Sequence, residues 1–256
     1  MMIRQVTGMV ASLWMLMCCF VPTAGAGGTT ARAVTPSFVE AVWSQTDALG
    51  HAAIYYAGRK QDAPWSEPVK ITNDQFDNLH PVLADGPDGR KWVVWSAVNQ
   101  PDFFIHYSIL ADGVWSAPRA IPSDLSSNTA PFVAVDGSNV IWVVWSGNDG
   151  VSNDEIYFSR CRAGKWDGPV RLNPKNEVPD ILPQITIAYG KPPVVTWLGF
   201  RNGDYHRLQS SYRGGAWSKP VEISDAAEAT IEQAAREIVL PAVVKHPERA
   251  FIHVIY

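Results

Sequence analysis

The residues best suited to chemistry in this chain are charged or polar and lie in short, turn-rich stretches. Asp77, His80, Asp102, Asp149, Asp154, Asp180, Arg201, Asp204, Arg207 and Arg236 form the candidate set. Carboxylates accept hydrogen bonds, guanidinium groups donate them, and a neutral imidazole does one with each nitrogen. That mixture suits a polyhydroxylated ligand, which needs donors and acceptors in a fixed array. Two carboxylates held about 5–9 Å apart could also hydrolyse a glycoside, but the fold sets that spacing, not the sequence. Metal binding has no such signal, because His80, His106, His206, His246 and His253 are scattered without ligand spacing. No phosphate-cradling Gly loop is present, and no cofactor is expected. Cys161 has no His near it in sequence to make a nucleophile pair, and reads as an ordinary strand or turn residue. A formal net charge of −4 argues against a nucleic-acid partner, whose phosphates call for a basic excess.

The frame that must position these residues is a repeat. Trp-Ser-x-Pro occurs at Trp65–Pro68, Trp115–Pro118 and Trp217–Pro220, and as Trp-Asp-Gly-Pro at Trp166–Pro169. The four tryptophans are 50, 51 and 51 residues apart, and Ile71, Ile121, Leu172 and Ile223 follow each by six. Trp43, Trp95, Trp145 and Trp197 end aliphatic runs at the same step, and Tyr256 ends FIHVIY in the same way. A third marker is IYY from Ile54, IHYS from Ile105 and IYFS from Ile156, with LQSSY from Leu208 as a looser copy. Pro81, Pro131, Pro183 and Pro241 each open a short apolar run.

Each unit therefore holds four short runs, A from the Pro, B ending in Trp, C like IxYS and D from Trp-Ser-x-Pro. Runs of four to seven residues bounded by Gly, Asp, Asn and Pro are strands. Four antiparallel strands about every fifty residues is the period of a β-propeller blade. The fold expected is thus an all-β propeller of about five blades, the last incomplete. Four C and four D runs are visible, and Thr29 to Trp43 is long enough for a weak first A strand. After the fourth D run come a fifth A and a fifth B. That unit is either completed by the N-terminus or a partner, or the sequence is a fragment. The tryptophans read as the packing between blades.

The turns before the D runs carry a family resemblance. Ala111-Asp112-Gly113-Val114-Trp115-Ser116, Ala163-Gly164-Lys165-Trp166 and Gly214-Gly215-Ala216-Trp217-Ser218 resemble degenerate copies of the bacterial neuraminidase repeat, the Asp-box of sialidase-like propellers. Only the Asp112-Gly113 copy keeps the Asp of Ser-x-Asp-x-Gly-x-Thr-Trp. The layout, with Gly-x-Trp-Ser before the outer strand, also resembles fucose-binding lectin propellers. The resemblance implies a fold that hosts enzymes, lectins and scaffolds alike. Sialidase chemistry would require three arginines on the sugar carboxylate, an acid Asp and a Tyr nucleophile assisted by a Glu. The arginines available are Arg201, Arg207 and Arg236, clustered late in the chain where the family spreads them over blades. The family's Arg-Ile-Pro opening is absent. Tyr205 is the Tyr nearest acidic groups. A binding module for glycans or a protein partner is the leading expectation, with a divergent sialidase-type hydrolase as the alternative.

In such a repeat the A–B and C–D turns share one end, and the B–C and D–A loops share the other. The first set is short. The second is longer and more polar, as in GNDGVSNDE, GFRNGDYHR and NPKNEVPD, and carries most of the candidate residues. Function is expected there, since rigid scaffolds place function on loops. The fourth D–A segment, Ser224 to Leu240, has helical character, with Asp225 and Glu228 as a capping pair.

The first residues form a separate unit. Arg4, the apolar run Val10 to Val21 and the small residues Ala24-Gly25-Ala26 match a secretory signal peptide over residues 1–26. Twelve apolar residues are too few to span a bilayer, which takes about 20. The propeller domain then covers 27–256, with no membrane span and a secreted or periplasmic location. A lipoprotein anchored at Cys18 or Cys19 is the lesser alternative. Removal of the signal leaves Cys161 as the one cysteine, so no intrachain disulfide can form.

Overall fold

The computed structural model describes residues 38–60, 63–223 and 252–255. The proposed signal peptide, the weak first A strand, the segment Ser224–Leu240 and Arg236 lie outside them. The described residues hold strands and turns but no helix. The first sheet contains β1 (Phe38–Thr46), β2 (Ala52–Lys60) and β3 (Val69–Lys70). The second contains β4 (Asp77–Asp85), β5 (Lys91–Asn99), β6 (Asp102–Ala111), β7 (Val114–Trp115) and β8 (Arg119–Ala120). The third contains β9 (Ser127–Val135), β10 (Ile141–Asn148), β11 (Glu155–Arg162), β12 (Lys165–Trp166) and β13 (Val170–Arg171). The fourth contains β14 (Asp180–Thr186), β15 (Val194–Arg201), β16 (Asp204–Arg213), β17 (Ala216–Trp217) and β18 (Val221–Glu222). Neighbouring strands are antiparallel in chain order. Each inner strand packs over the preceding sheet, β9 against β4, β5 and β6, and β14 against β9, β10 and β11. The chain is a β-propeller of four-stranded antiparallel blades.

One strand differs from its sequence reading. FIHVIY has the pattern of a fifth B strand, yet β19 (Ile252–Ile255) pairs with β1 in the first sheet, Glu40 opposite Ile255 and Trp43 opposite Ile252. It takes the place that β4, β9 and β14 hold in their own sheets. A short run that is mostly apolar suits more than one strand position in a blade, so its pattern does not distinguish an A strand from a B strand.

The repeat markers have separate physical roles. Trp43, Trp95, Trp145 and Trp197 are fully buried. At about 25 cal/mol per Å² and roughly 200 Å² per indole, each supplies about 5 kcal/mol of gross hydrophobic stabilisation. Burial obliges the indole N–H to find an acceptor. Trp95 donates to Asn78 Oδ1 at 2.6 Å, Trp145 to Asn128 Oδ1 at 2.9 Å and Trp197 to Asp180 Oδ1 at 2.9 Å. The outer tryptophans pack across seams, Trp166 on Trp92 and Tyr107, and Trp217 on Trp142 and Phe158.

The prolines mark a bulge. His80, Ala130 and Leu182, each just before a marker Pro, have φ of 55°, 49° and 60°, and the pairing register shifts there in all three sheets. Left-handed backbone costs a non-glycine residue about 1–2 kcal/mol, so the surroundings must hold it. The serine after the B-strand Trp of the preceding sheet contributes: Ser96 Oγ accepts from Ala130 N–H at 3.1 Å and Ser146 Oγ from Leu182 N–H at 2.9 Å.

The D run is broken in two at its Pro, and serines replace the lost ladder bonds. Ser108 Oγ donates to Ser116 O at 2.7 Å while Ser116 Oγ accepts from Ile109 N–H at 3.1 Å. Ser210 and Ser218 repeat the pair. The segments that resemble an Asp-box form two-residue turns in which both residues have positive φ, Asp112-Gly113, Ala163-Gly164 and Gly214-Gly215. That is the hairpin turn matching strand twist, and it explains the glycines.

In the fourth sheet the C strand is offset by one from its sequence alignment. Trp197 faces Leu208, where Trp95 faces His106 and Trp145 faces Tyr157. Arg207, not Leu208, therefore stands where Ile54, Ile105 and Ile156 stand.

Replacing Asn128 with Ala leaves the Trp145 indole unpaired inside the third sheet. Urea unfolding is expected to show a loss of about 2 kcal/mol, the cost of one buried unsatisfied donor and its lost partners.

Candidate functional site

Antiparallel connectivity puts the B–C turns and D–A loops at one end of every sheet, as the sequence implies. Their conformations are set by side chains bonding local backbone. In the β1–β2 turn Asp47 accepts from Leu49 N–H at 2.8 Å and pairs with Lys70 Nζ at 2.7 Å. In the β10–β11 loop Asp149 accepts from Val151 N–H, Ser152 N–H and Ser152 Oγ. The Lys70 hydrogen bond lowers the Asp47 carboxyl to about 2, and the Ser152 bonds lower Asp149 to about 2.

The predicted residues fall into two groups. Asp77, Asp102, Asp149 and Asp204 are exposed, the first two on the second sheet and the others on the third and fourth. Asp77 accepts from Ala52 N–H of the preceding sheet at 3.0 Å, and Asp204 accepts from Tyr205 N–H at 2.8 Å. Asp154 accepts from Asn148 Nδ2 at 3.0 Å, which closes the β10–β11 loop. These groups shape turns. His80 is partly buried in the bulge of β4, and burial pulls its imidazole down to about 4. Arg207 fills an apolar position of the repeat. Arg236 lies outside the described residues.

Asp180 and Arg201 of the predicted set meet side chain to side chain, and they do so at a buried cluster. Arg201 Nη2 lies 3.2 Å from Asp180 Oδ1, and Arg201 Nη1 donates to Phe200 O at 2.6 Å. Asp180 also accepts from Asn173 Nδ2 at 2.7 Å and Asn176 Nδ2 at 2.6 Å. The same Asn173 amide donates to Glu155 Oε2 at 2.5 Å. Glu155 is 1% exposed and Asp180 0%. Desolvation pushes the Glu155 carboxyl up, against hydrogen bonds from Asn176 and Asn173. A substrate cannot reach either carboxylate, so the cluster cannot act as a glycosidase pair.

Asn173 and Asn176 were not among the residues the sequence singled out, and Glu155 stood there only as one polar residue of the loop GNDGVSNDE. A signal existed. The residue paired two beyond each B-strand Trp is Ala53, Phe104, Glu155 and His206 in the four sheets. The inner-strand acceptor is Asn78, Asn128 and Asp180. Charge enters the repeat at these positions only in the third and fourth units.

Among the described residues, two aromatic rings at this end face solvent, Phe104 and Tyr205. Phe104 is 37% exposed and packs edge-on against Phe76, and Tyr205 is 43% exposed against Phe200. His206 Nδ1 lies 2.9 Å from Glu222 Oε1 beside Tyr205. Among the described residues, no three His, Cys, Asp or Glu side chains gather to hold a metal.

No family model matches the sequence, and no curated protein matches it. Solved structures share the fold. One is a protein of unknown function from Dyadobacter fermentans DSM 18053, with a TM-score of 0.56 at 14% identity over 67% of this chain and 58% of that one. Another is a polysaccharide lyase of family PL25, an ulvan lyase, with a TM-score of 0.51 at 12% identity over 69% of this chain and 50% of that one. The chain thus spans between half and three-fifths of the length of these two structures.

Two outcomes test the assignments. Replacing Arg201 with Met leaves the buried Asp180 charge without its cation. Chemical denaturation is expected to show a loss of about 2–3 kcal/mol, discounted from the fully buried case because Arg201 is partly exposed. For His80, the unfolded chain takes a proton near the ordinary value of 6.5 and the folded chain only near 4. Its stabilisation is full above 6.5 and is lost as pH falls toward 4. His80→Asn, which tolerates the left-handed backbone, should flatten the decline of Tm across that window in thermal melts.

Proposed function

We propose that this chain is an exported, non-catalytic binding propeller whose B–C and D–A end holds a glycan. The observation that carries the reading is a contrast at that end. The carboxylates that come together are buried, and Asp180 is occupied by the partly exposed Arg201. Facing solvent are two aromatic rings, Phe104 and Tyr205, beside exposed carboxylates that hold the loops. Rings with an apolar face beside fixed polar groups are what a sugar needs, apolar C–H faces stacking while hydroxyls are bonded at the edge. Likeness in fold to an ulvan lyase supports a carbohydrate-related role. The same likeness keeps glycan cleavage as the second reading, including the sialidase-type hydrolysis suggested by the turn sequences. Export rests on the apolar run Val10 to Val21 and on Ala24-Gly25-Ala26.

A glycan array followed by isothermal titration tests the leading reading. Phe104→Ala and Tyr205→Ala should each weaken binding about tenfold, about 1.4 kcal/mol, with the melting curve little changed. Turnover of fluorogenic glycosides or of a polyuronate, or an array with no ligand, would favour the other readings. An intact mass of the exported protein beginning at Gly27 would fix the cleavage.

A further inference from the structure

Glu155 breaks the pattern of its repeat position and does so inside the protein. Its counterparts are Ala53, Phe104 and His206, while Glu155 itself is 1% exposed. The carboxylate reaches out of β11 to the D–A loop, where Oε1 accepts from Asn176 N–H at 3.1 Å and Oε2 from Asn173 Nδ2 at 2.5 Å. Asn173 Nδ2 also donates to Asp180 Oδ2 at 2.7 Å, so one amide joins two buried carboxylates. Asn173 Oδ1 accepts from Ile156 N–H at 2.9 Å, which fixes the way the amide faces.

The charges in this cluster do not balance. Arg201, from β15, is engaged with Asp180 Oδ1, on the side away from Asn173. Arg171, on exposed β13, attracts Glu155 only through space. In the loop, Lys175 attracts Asp149 of the β10–β11 turn, and Glu177 adds a further acid. From the β10–β11 turn, Asp149 and Asp154 add negative charge but are bonded within that turn. Two buried carboxylates therefore share one close cation, and an uncompensated buried charge is costly. A single proton removes the excess.

We propose that Glu155 and Asp180, bridged by Asn173, form a proton-operated latch. With one proton bound it fixes the loop of residues 173–179 and the start of β14 against the third sheet; without it that loop loosens. Burial of Glu155 and the nearby Asp180 both favour holding the proton, against the weaker opposing pull of the Asn176, Asn173 and Arg171 groups. The sign follows from linkage. The folded chain holds this proton above the pH at which the unfolded chain releases it. The stabilisation is thus complete below the ordinary glutamate value of 4.5 and is lost as pH rises through the higher folded value. The loop at 72–76 has Ala53 in the corresponding place and should show no such dependence.

Hydrogen exchange on the intact protein tests the latch. After correction for intrinsic rates, the Asn176 and Asp180 amides should be about tenfold better protected at pH 5 than at pH 8, while the amides of 72–76 change little. Glu155→Gln should abolish the difference. The carboxyl ¹³C resonance of Glu155 in the wild-type protein should titrate above 4.5, a readout that needs no variant to fold. Titration at or below that value, or equal pH response in the two loops, would overturn the latch.

Discussion

A buried indole with a polar N–H constrains this fold more than any other single group. Each B-strand Trp supplies several kcal/mol through its area, but only if its one donor is satisfied away from water. Trp43 donates to Gln45, while for Trp95, Trp145 and Trp197 the acceptor lies seventeen residues back, at the start of the inner strand of the same sheet, in Asn78, Asn128 and Asp180. That bond sets where the inner strand begins, and the bulge follows within two residues. The serine after the Trp then reaches the next sheet at that bulge. One side-chain position thus organises strand start, strand bend and blade seam together.

The acceptor can be an amide or a carboxylate, and this freedom lets the third seam depart from the others. With Asn at the position, the spare N–H atoms bond loop carbonyls, as Asn78 does with Phe76 O and Ala52 O. With Asp180 there, the spare oxygen Oδ2 must be met by donors, and Asn173 and Asn176 supply them, while Arg201 joins Trp197 at Oδ1. Glu155 joins through the shared amide. Gly199 follows from the same crowding, because a Cβ there would collide with Asp180 and Leu208. The fourth unit also has Leu198 where Ser44, Ser96 and Ser146 stand, so this serine link has no counterpart after the fourth B strand.

These substitutions separate two roles that charged residues have at the loop end. Asp47, Asp77, Asp149 and Asp204 hold turns in shape by accepting backbone N–H groups. Asp180 pairs with Arg201 in the interior, and Glu155 joins Asp180 through the shared Asn173 amide. Neither group is poised to attack a bond. On the proposed glycan-binding reading, contact falls to what faces water on these fixed turns, which gives Phe104 and Tyr205 more weight than the acids.

The sequence by itself determined the blade. Strand order, the two ends, the inward Trp residues and the turn glycines all follow from local rules: alternation, turn chemistry and a constant period. It also located the polar end, because antiparallel connectivity assigns each loop to an end without distances. Tertiary structure alone decided which polar residues meet. Asp180 and Arg201 are 21 positions apart and read as two more solvated loop residues until β14 and β15 bring them to 3.2 Å. Glu155 looked like the last acid of an exposed loop, and only the packing of β14 against β11 buries it. The one-residue offset that gives Arg207 an isoleucine's place is equally invisible, since LQSSY and IYFS align well as strings. The reason is common to all three. Period and pattern fix what repeats, whereas burial and pairing between blades depend on how the repeats pack in space.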